Sequence, residues 1–325
     1  MKMKKLTRSQ FIKETGRYTA GLTLLGLTSC QPKKEMPEDK KIDEMSDRTI
    51  SSPPYAQNLG LQLYTLRDQV ARDKKGTLEK VASIGYKQIE LYDPSTIPET
   101  VSMINDVGMK AVATHILPGF ITNNWQTVPK PADANFNYEK ILEICAANEI
   151  SNVGVAVLFP EDRPTLGDYH KFAELANNAG EKARSMGIQF YYHNHSFEFE
   201  PMEGTTPYDV LTGAFDPELV KLEVDIFWVQ VSGHSPIELV GKLGDQVLAL
   251  HIKDLKPGTP QDLKMQVAPE AFMPVGQGNI DIKGVLNVAH EVGVKYGFVE
   301  QDQHASGDPF DNIKTSYQYL QNLGL

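Results

Sequence analysis

From Asn58 onward, two apolar patterns alternate along the chain. Short, nearly continuous apolar runs read as strands buried on both faces, and longer stretches with apolar positions three and four apart read as amphipathic helices. The strands expected on this basis are Leu59–Tyr64, Gln88–Leu91, Met109–His115, Val153–Leu158, Ile188–His193, Val220–Val229, Val247–Ile252 and Tyr296–Glu300. Helices are expected after the first strand through Val81, over about Tyr138–Asn148 and Leu166–Met186, before and through Val292, and over Pro309–Leu323. Two long loops interrupt the rhythm, Leu117–Asn135 and the run that ends at Asn279. Eight β–α units in about 268 residues predict an α/β fold, a single-domain (β/α)8 TIM barrel. An open doubly wound sheet is the alternative, but no G-x-G-x-x-G follows the first strand.

The sixth strand carries the chemistry that first stands out. In V-K-L-E-V-D-I-F-W-V, Leu222, Val224 and Ile226 point one way and Lys221, Glu223 and Asp225 the other. Carboxylates on a strand buried on both faces are costly unless paired or bound to a metal, so an acidic edge facing an interior cavity is the natural reading.

The segment before the barrel differs in kind. Residues 1–29 hold six Lys or Arg against the single acid Glu14, then a short apolar stretch Tyr18–Ser29, too short to span a bilayer. Leu27-Thr28-Ser29-Cys30 resembles a bacterial lipobox, which makes Cys30 the expected lipidated N-terminus of a mature lipoprotein. Residues 1–29 are then a signal peptide, 30–57 a charged, Pro-rich tether, and 58–325 the barrel. The expected location is the bacterial cell envelope, on the periplasmic side. T-R-S-Q-F-I-K resembles a twin-arginine signal in which Ser9 replaces the second Arg.

Net charge is −10, and −15 once the basic leader is set aside. An acidic body argues against binding DNA or RNA through its phosphates and suits a neutral substrate or a divalent cation. Cys145, in I-L-E-I-C-A-A, reads as a small buried hydrophobe.

TIM-barrel sites lie at the C-terminal ends of the strands. Those ends carry Gln62 and Tyr64, Glu90, His115, His193 and His195, Asp225, His251 with Lys253 and Asp254, and Glu300 with Asp302. Asp225, His251 and Glu300 come from neighbouring strands and suit one divalent metal, with Mn, Co, Zn and Mg as candidates. Glu223 is a buried partner or a spare ligand, Glu198 reads as loop structure, and Gly276 and Gly278 as a turn near the substrate. Of the remaining histidines only His304 lies near the rim.

These residues bring out a resemblance. L-G-L-Q-L-Y-T-L-R-D (59–68), Y-H-N-H (192–195), L-E-V-D-I-F-W (222–228), H-I-K-D (251–254), V-G-Q-G-N-I-D (275–281) and F-V-E-Q-D (298–302) resemble the sugar phosphate isomerase/epimerase family of the xylose isomerase-like TIM-barrel superfamily. The resemblance implies metal ligands at Asp225, His251 and Glu300. The family's fourth ligand, a Glu, falls at His193, so symmetric two-carboxylate epimerisation is in doubt, and His193 becomes either ligand or base. Lys253 is expected to hold an enolate oxygen or a phosphate. Gln62, Glu90, His115, His195, Trp228 and Asp254 are expected to bind substrate.

The expected activity is metal-dependent isomerisation or epimerisation of a small carbohydrate by proton abstraction beside its carbonyl. The alternatives are a keto-sugar or keto-inositol lyase on the same site, and a non-catalytic sugar-binding lipoprotein. Phosphodiester cleavage of the endonuclease IV kind is disfavoured by the acidic body and by the lack of a richer His/Asp/Glu cluster. The partners this implies are the carbohydrate, a membrane only through the lipid anchor, no nucleic acid, and optionally a second copy of the chain.

Overall fold

A computed structural model describes residues 57–305 and 307–323. The Cys30 anchor, the leader 1–29 and the tether up to residue 56 lie outside the described residues. The barrel strands are β1 (Gly60–Gln62), β2 (Gln88–Leu91), β3 (Lys110–Ile116), β4 (Asn152–Val155), β5 (Gln189–His193), β6 (Val220–Asp225), β7 (Val247–Ile252) and β10 (Tyr296–Val299). They close in the order β1-β10-β7-β6-β5-β4-β3-β2, every pairing parallel. β8 (Asp254–Leu255) and β9 (Phe272–Met273) form an antiparallel ribbon inside the loop after β7, which apolar patterning alone did not reveal. No described helix is long and apolar enough to cross a membrane.

β4 stops at Val155 rather than Leu158 and β10 at Val299 rather than Glu300. Two further strands end early, each for a local reason. The first stops at Gln62, whose side chain accepts from the Tyr64 N–H and opens a 3₁₀ turn over Leu63–Leu66. The sixth stops at Asp225 rather than running to Val229. One Asp225 oxygen accepts from the N–H groups of Phe227 (2.9 Å) and Trp228 (3.2 Å), capping a short helix, Ile226–Val231. An N-cap carboxylate satisfies donors that a helix cannot pair internally. The apolar run Ile226-Phe227-Trp228 is therefore a buried helical turn.

The inside of the barrel is layered by the two-residue period of its strands. Ala113, Tyr191, Ala249 and Phe298 are buried together in one cluster. Each lies two residues before a polar group at the C-terminal end: His115, His193, His251 and Glu300. Gly154 makes room for this stacking, since a Cβ there would meet the Tyr191 ring at 2.1–2.4 Å. The outer faces of the strands join a continuous apolar core with the surrounding helices.

Candidate metal centre

Strand pairing puts the candidate ligands side by side: His193 is in register with Glu223, Asp225 with His251, and His251 with Phe298. Two carboxylates deeper in the barrel follow irregularities in the ladder. The register shifts between Ile89 and Glu90 on β2, and between Leu222 and Glu223 on β6. Such irregularities re-aim the side chains that follow them.

A deep network forms around Glu90 and Glu223, both fully buried. Glu90 accepts from the Tyr191 hydroxyl, from Gln62 Nε2 at 2.8 Å, and lies 2.5 Å from His251 Nε2. One oxygen of Glu223 is 2.8 Å from His115 Nε2, 3.1 Å from His193 Nδ1 and 3.1 Å from His251 Nε2. Burial disfavours charge on Glu223, but the three imidazoles, His251 foremost, hold its carboxyl well below the usual range. Glu90 is raised instead, by burial and by the Glu223 charge.

Above this network Asp225, His251 and Glu300 gather one ligand atom each. His251 Nδ1 is 2.7 Å from Glu300 Oε2 and 3.9 Å from Asp225 Oδ2. His193 Nε2 is 3.6 Å from the same Asp225 oxygen. The Lys253 ammonium, 2 % exposed, is 2.8 Å from Asp225, 2.6 Å from Glu300 and 2.8 Å from Asp302. Burial opposes its charge, but Asp225, Asp302 and Glu300 keep it protonated well above the usual lysine range. Glu300 is held low despite burial, by Lys253 and His251. His193 is lowered to about 4, by burial first and by His251 next.

The donor set fits a divalent cation. Asp225 Oδ2 and His251 Nδ1 are buried without a hydrogen-bond partner, although carboxylate and ammonium groups lie within 2.7–2.8 Å. They are near their neighbours yet not aligned with them, as ligand atoms around a common ion are. Burial opposes charge on His251, but Glu223, Glu300 and Glu90 raise it well above the usual imidazole range. As a ligand it would give up the Nδ1 proton that faces Glu300 at 2.7 Å. A second group, His115, His193, Glu223 and His251, also gathers four ligand atoms, so the barrel holds the richer His/Glu cluster that the sequence reading found lacking.

A cavity of about 310 Å³ opens over this centre. His115, His193, His195, Lys253, Glu300 and Asp302 line it on the polar side, and Tyr64, Tyr92, Ile116, Leu117 and Met265 on the apolar side. Four residues expected to touch substrate lie elsewhere. Gln62 and Glu90 are fully buried in the network beneath. Trp228, 2 % exposed, packs on Phe227, Phe272 and His195. Asp254 accepts from the N–H groups of Gly276, Gly278, Ile280 and Leu255, so it and both glycines organise a loop. His304 turns to the Thr65 carbonyl and does not reach the centre. Glu198 is loop structure, as expected, accepting from the His195 N–H and the Tyr192 hydroxyl.

The sequence model of a family described as "Xylose isomerase-like TIM barrel" matches residues 78–323. The chain belongs to that family. It is 26% identical over 171 residues to inosose dehydratase of Lacticaseibacillus casei, a match covering 49% of this chain and 57% of that protein. The inosose dehydratase of Clostridium tetani is 27% identical over 172 residues, 50% of this chain and 57% of the relative. The chain thus spans a little over half the length of these relatives. Among solved structures, a sugar phosphate isomerase/epimerase from Parabacteroides distasonis superposes with a TM-score of 0.67 at 23% identity, covering 84% of this chain and 96% of the other. The IolI protein, whose structure holds a zinc atom, superposes with a TM-score of 0.60 at 16% identity, covering 81% and 96%. These superpositions bear on the fold.

Proposed function

We propose that the chain is a divalent-metal-dependent lyase acting on an unphosphorylated keto-sugar or keto-polyol. It removes the proton beside the carbonyl and expels an oxygen substituent from the next carbon. The observation that carries this reading is the asymmetry of the polar wall. Epimerisation by two like bases needs facing carboxylates. Here the strand-five position opposite Glu300 is an imidazole, His193, and an ammonium, Lys253, lies between the carboxylates. A base on one side and a proton donor on the other is what elimination requires.

Asp225, His251 and Glu300 would hold the cation. When bound, it supplies Lewis-acid polarisation of the carbonyl. The base is His195, whose ring lines the cavity. Burial, with His193 and Lys253 nearby, holds it neutral, well below the usual imidazole range. His195 takes the α-proton, the C–H pair becomes the enolate, and that pair returns to form the C=C bond as the β C–O bond breaks. The Lys253 ammonium protonates the departing oxygen. Among the described residues Lys253 is the sole Lys or Arg lining the cavity, and it is already shared by three carboxylates, which disfavours a phosphate there. The inosose dehydratase relatives support elimination from a keto-polyol.

Isomerisation or epimerisation shares the first half of this chemistry, and His193, also lining the cavity, is placed to return the proton. Incubation with metal and a panel of keto-sugars and keto-inositols in D2O, followed by NMR, separates the outcomes. Loss of a substituent is expected. Deuterium at the α-carbon of an intact sugar points to epimerase chemistry, and neither change on any panel member sinks the enzyme reading in favour of a binding protein. The lipid anchor at Cys30 and an envelope location, periplasmic side, belong to the same proposal. Cys30→Ala should release the chain from the membrane fraction, and unchanged fractionation would overturn it.

A further inference from the structure

The deep network has a pattern that simple charge pairing does not require. Each of its three imidazoles turns one nitrogen to the same Glu223 oxygen, which accepts only and so places a ring proton on that nitrogen. His193 meets Glu223 through Nδ1 (3.1 Å), which leaves Nε2 bare, facing Asp225 Oδ2 at 3.6 Å. His251 meets Glu90 and Glu223 through Nε2, which leaves Nδ1, 2.7 Å from Glu300, as the nitrogen a cation would take. His115 meets Glu223 through Nε2, and its Nδ1 accepts from Gln62 at 3.4 Å. His193 Nε2 and His251 Nδ1, the nitrogens turned away from Glu223, both face the Asp225–Glu300 centre.

We propose that Glu223 is a positioning residue that sets the tautomers of His193 and His251, and that His193, so held, completes the metal ligand set through Nε2. The inference rests on the metal-dependent reading above and extends it to the ligand from β5. The logic is that of a carboxylate behind a metal-bound imidazole. The carboxylate fixes ring and tautomer and makes the other nitrogen a better donor, and its loss weakens metal binding by about 10–100-fold. Glu223 serves two such rings with one oxygen, and a third, His115, also holds that oxygen at 2.8 Å. The network therefore replaces a negative ligand on β5 by a neutral one, with the negative charge moved one layer down to β6.

The test is titration of Zn²⁺ alone into the metal-free full-length chain, with ¹⁵N-histidine NMR of the same samples. The wild type should bind one equivalent, with His193 as the Nδ1–H tautomer and His251 as the Nε2–H tautomer. Glu223→Gln and His193→Gln should each bind Zn²⁺ about 10–100-fold more weakly. The double variant should lose much less than the product of the two, because Glu223 acts through His193. A merely structural Glu223 would give independent, multiplying losses. Wild-type affinity in Glu223→Gln, or an Nε2–H tautomer at His193 in the wild type, overturns the inference alone. Two equivalents in the wild type and one in Glu223→Gln also overturn it, making the deep group a cation site itself. No binding by the wild type sinks the metal reading and this inference together. Should Glu223→Gln fail to fold, the wild-type tautomers decide the question.

Discussion

Two layers of polar groups, represented on β6 by Glu223 and Asp225, share the interior of this barrel and behave differently. In the lower layer proximity and alignment coincide. Glu90 has partners on both oxygens, and Gln62, Tyr191 and His115 each donate into the network. In the upper layer proximity outruns alignment: Asp225 Oδ2 and His251 Nδ1 have neighbours within 2.8 Å and no hydrogen bond. Both layers are equally buried, so burial does not separate scaffold from site. What separates them is whether the polar atoms satisfy one another. A buried group left unsatisfied beside apparent partners is costly, and a bound cation is one way that cost is repaid. Glu223 belongs to both layers, with one oxygen shared by three imidazoles and the other without a partner.

Matched substitutions can break this contrast. Asp225→Ala should bring metal content, read by elemental analysis, close to zero and abolish turnover. Its stability cost should exceed the ~1 kcal/mol of a lost N-cap on Ile226–Val231, since the buried Lys253 also loses a partner. It should stay below that of Glu90→Ala because Glu300 and Asp302 still pair the ammonium. Glu90→Ala should do the reverse. It removes the acceptor of Tyr191, Gln62 and His251, so a loss of about 3–5 kcal/mol in denaturant unfolding is expected. Metal should still bind at saturating concentration. If Glu90→Ala lost its metal with stability intact, or Asp225→Ala unfolded while keeping metal, the two layers would not be distinct in role.

Much of the upper layer was legible in the sequence, and much of the lower was not. Asp225, His251 and Glu300 stand at strand ends in apolar surroundings, and reading strand ends alone brought them together. The closed parallel barrel followed from the same apolar runs. Glu90 and Gln62 also stand at strand ends, but a period of two says which face a residue takes and not how deep it lies. They were expected at the substrate and are found beneath it. Glu223 was seen to face inward, but its three-way contact depends on a register shift at Leu222/Glu223 that no propensity announces. Asp254 misled for another reason. A strand-end carboxylate that serves the loop glycines has the same local sequence as one that serves a ligand. The short helix after Asp225 was hidden by β-branched and aromatic residues, where the cap outweighed strand propensity.

A third buried carboxylate sharpens the comparison with a smaller effect. Glu198 lies outside both layers and accepts from the Tyr192 hydroxyl at 2.6 Å and the His195 N–H at 2.9 Å. These bonds do not offset its burial, and its carboxyl is pushed up to about 7 from an ordinary 4.5. The folded chain therefore keeps a proton at Glu198 that the unfolded chain releases between pH ~4.5 and ~7, and stability falls as pH rises through that window. Above pH 7 both states are ionised there and the cost is constant. Glu198→Gln mimics the protonated form at every pH, so the variant should match the wild type near pH 4.5 and exceed it at pH 8. The displacement sets an upper bound of about 3 kcal/mol, reduced by any local relaxation. Urea unfolding at pH 5 and pH 8 measures it. The same stability difference at both values would mean that Glu198 keeps its charge in the fold. The carboxylates of this barrel would then be held ionised even where no imidazole or ammonium lies in hydrogen-bond contact.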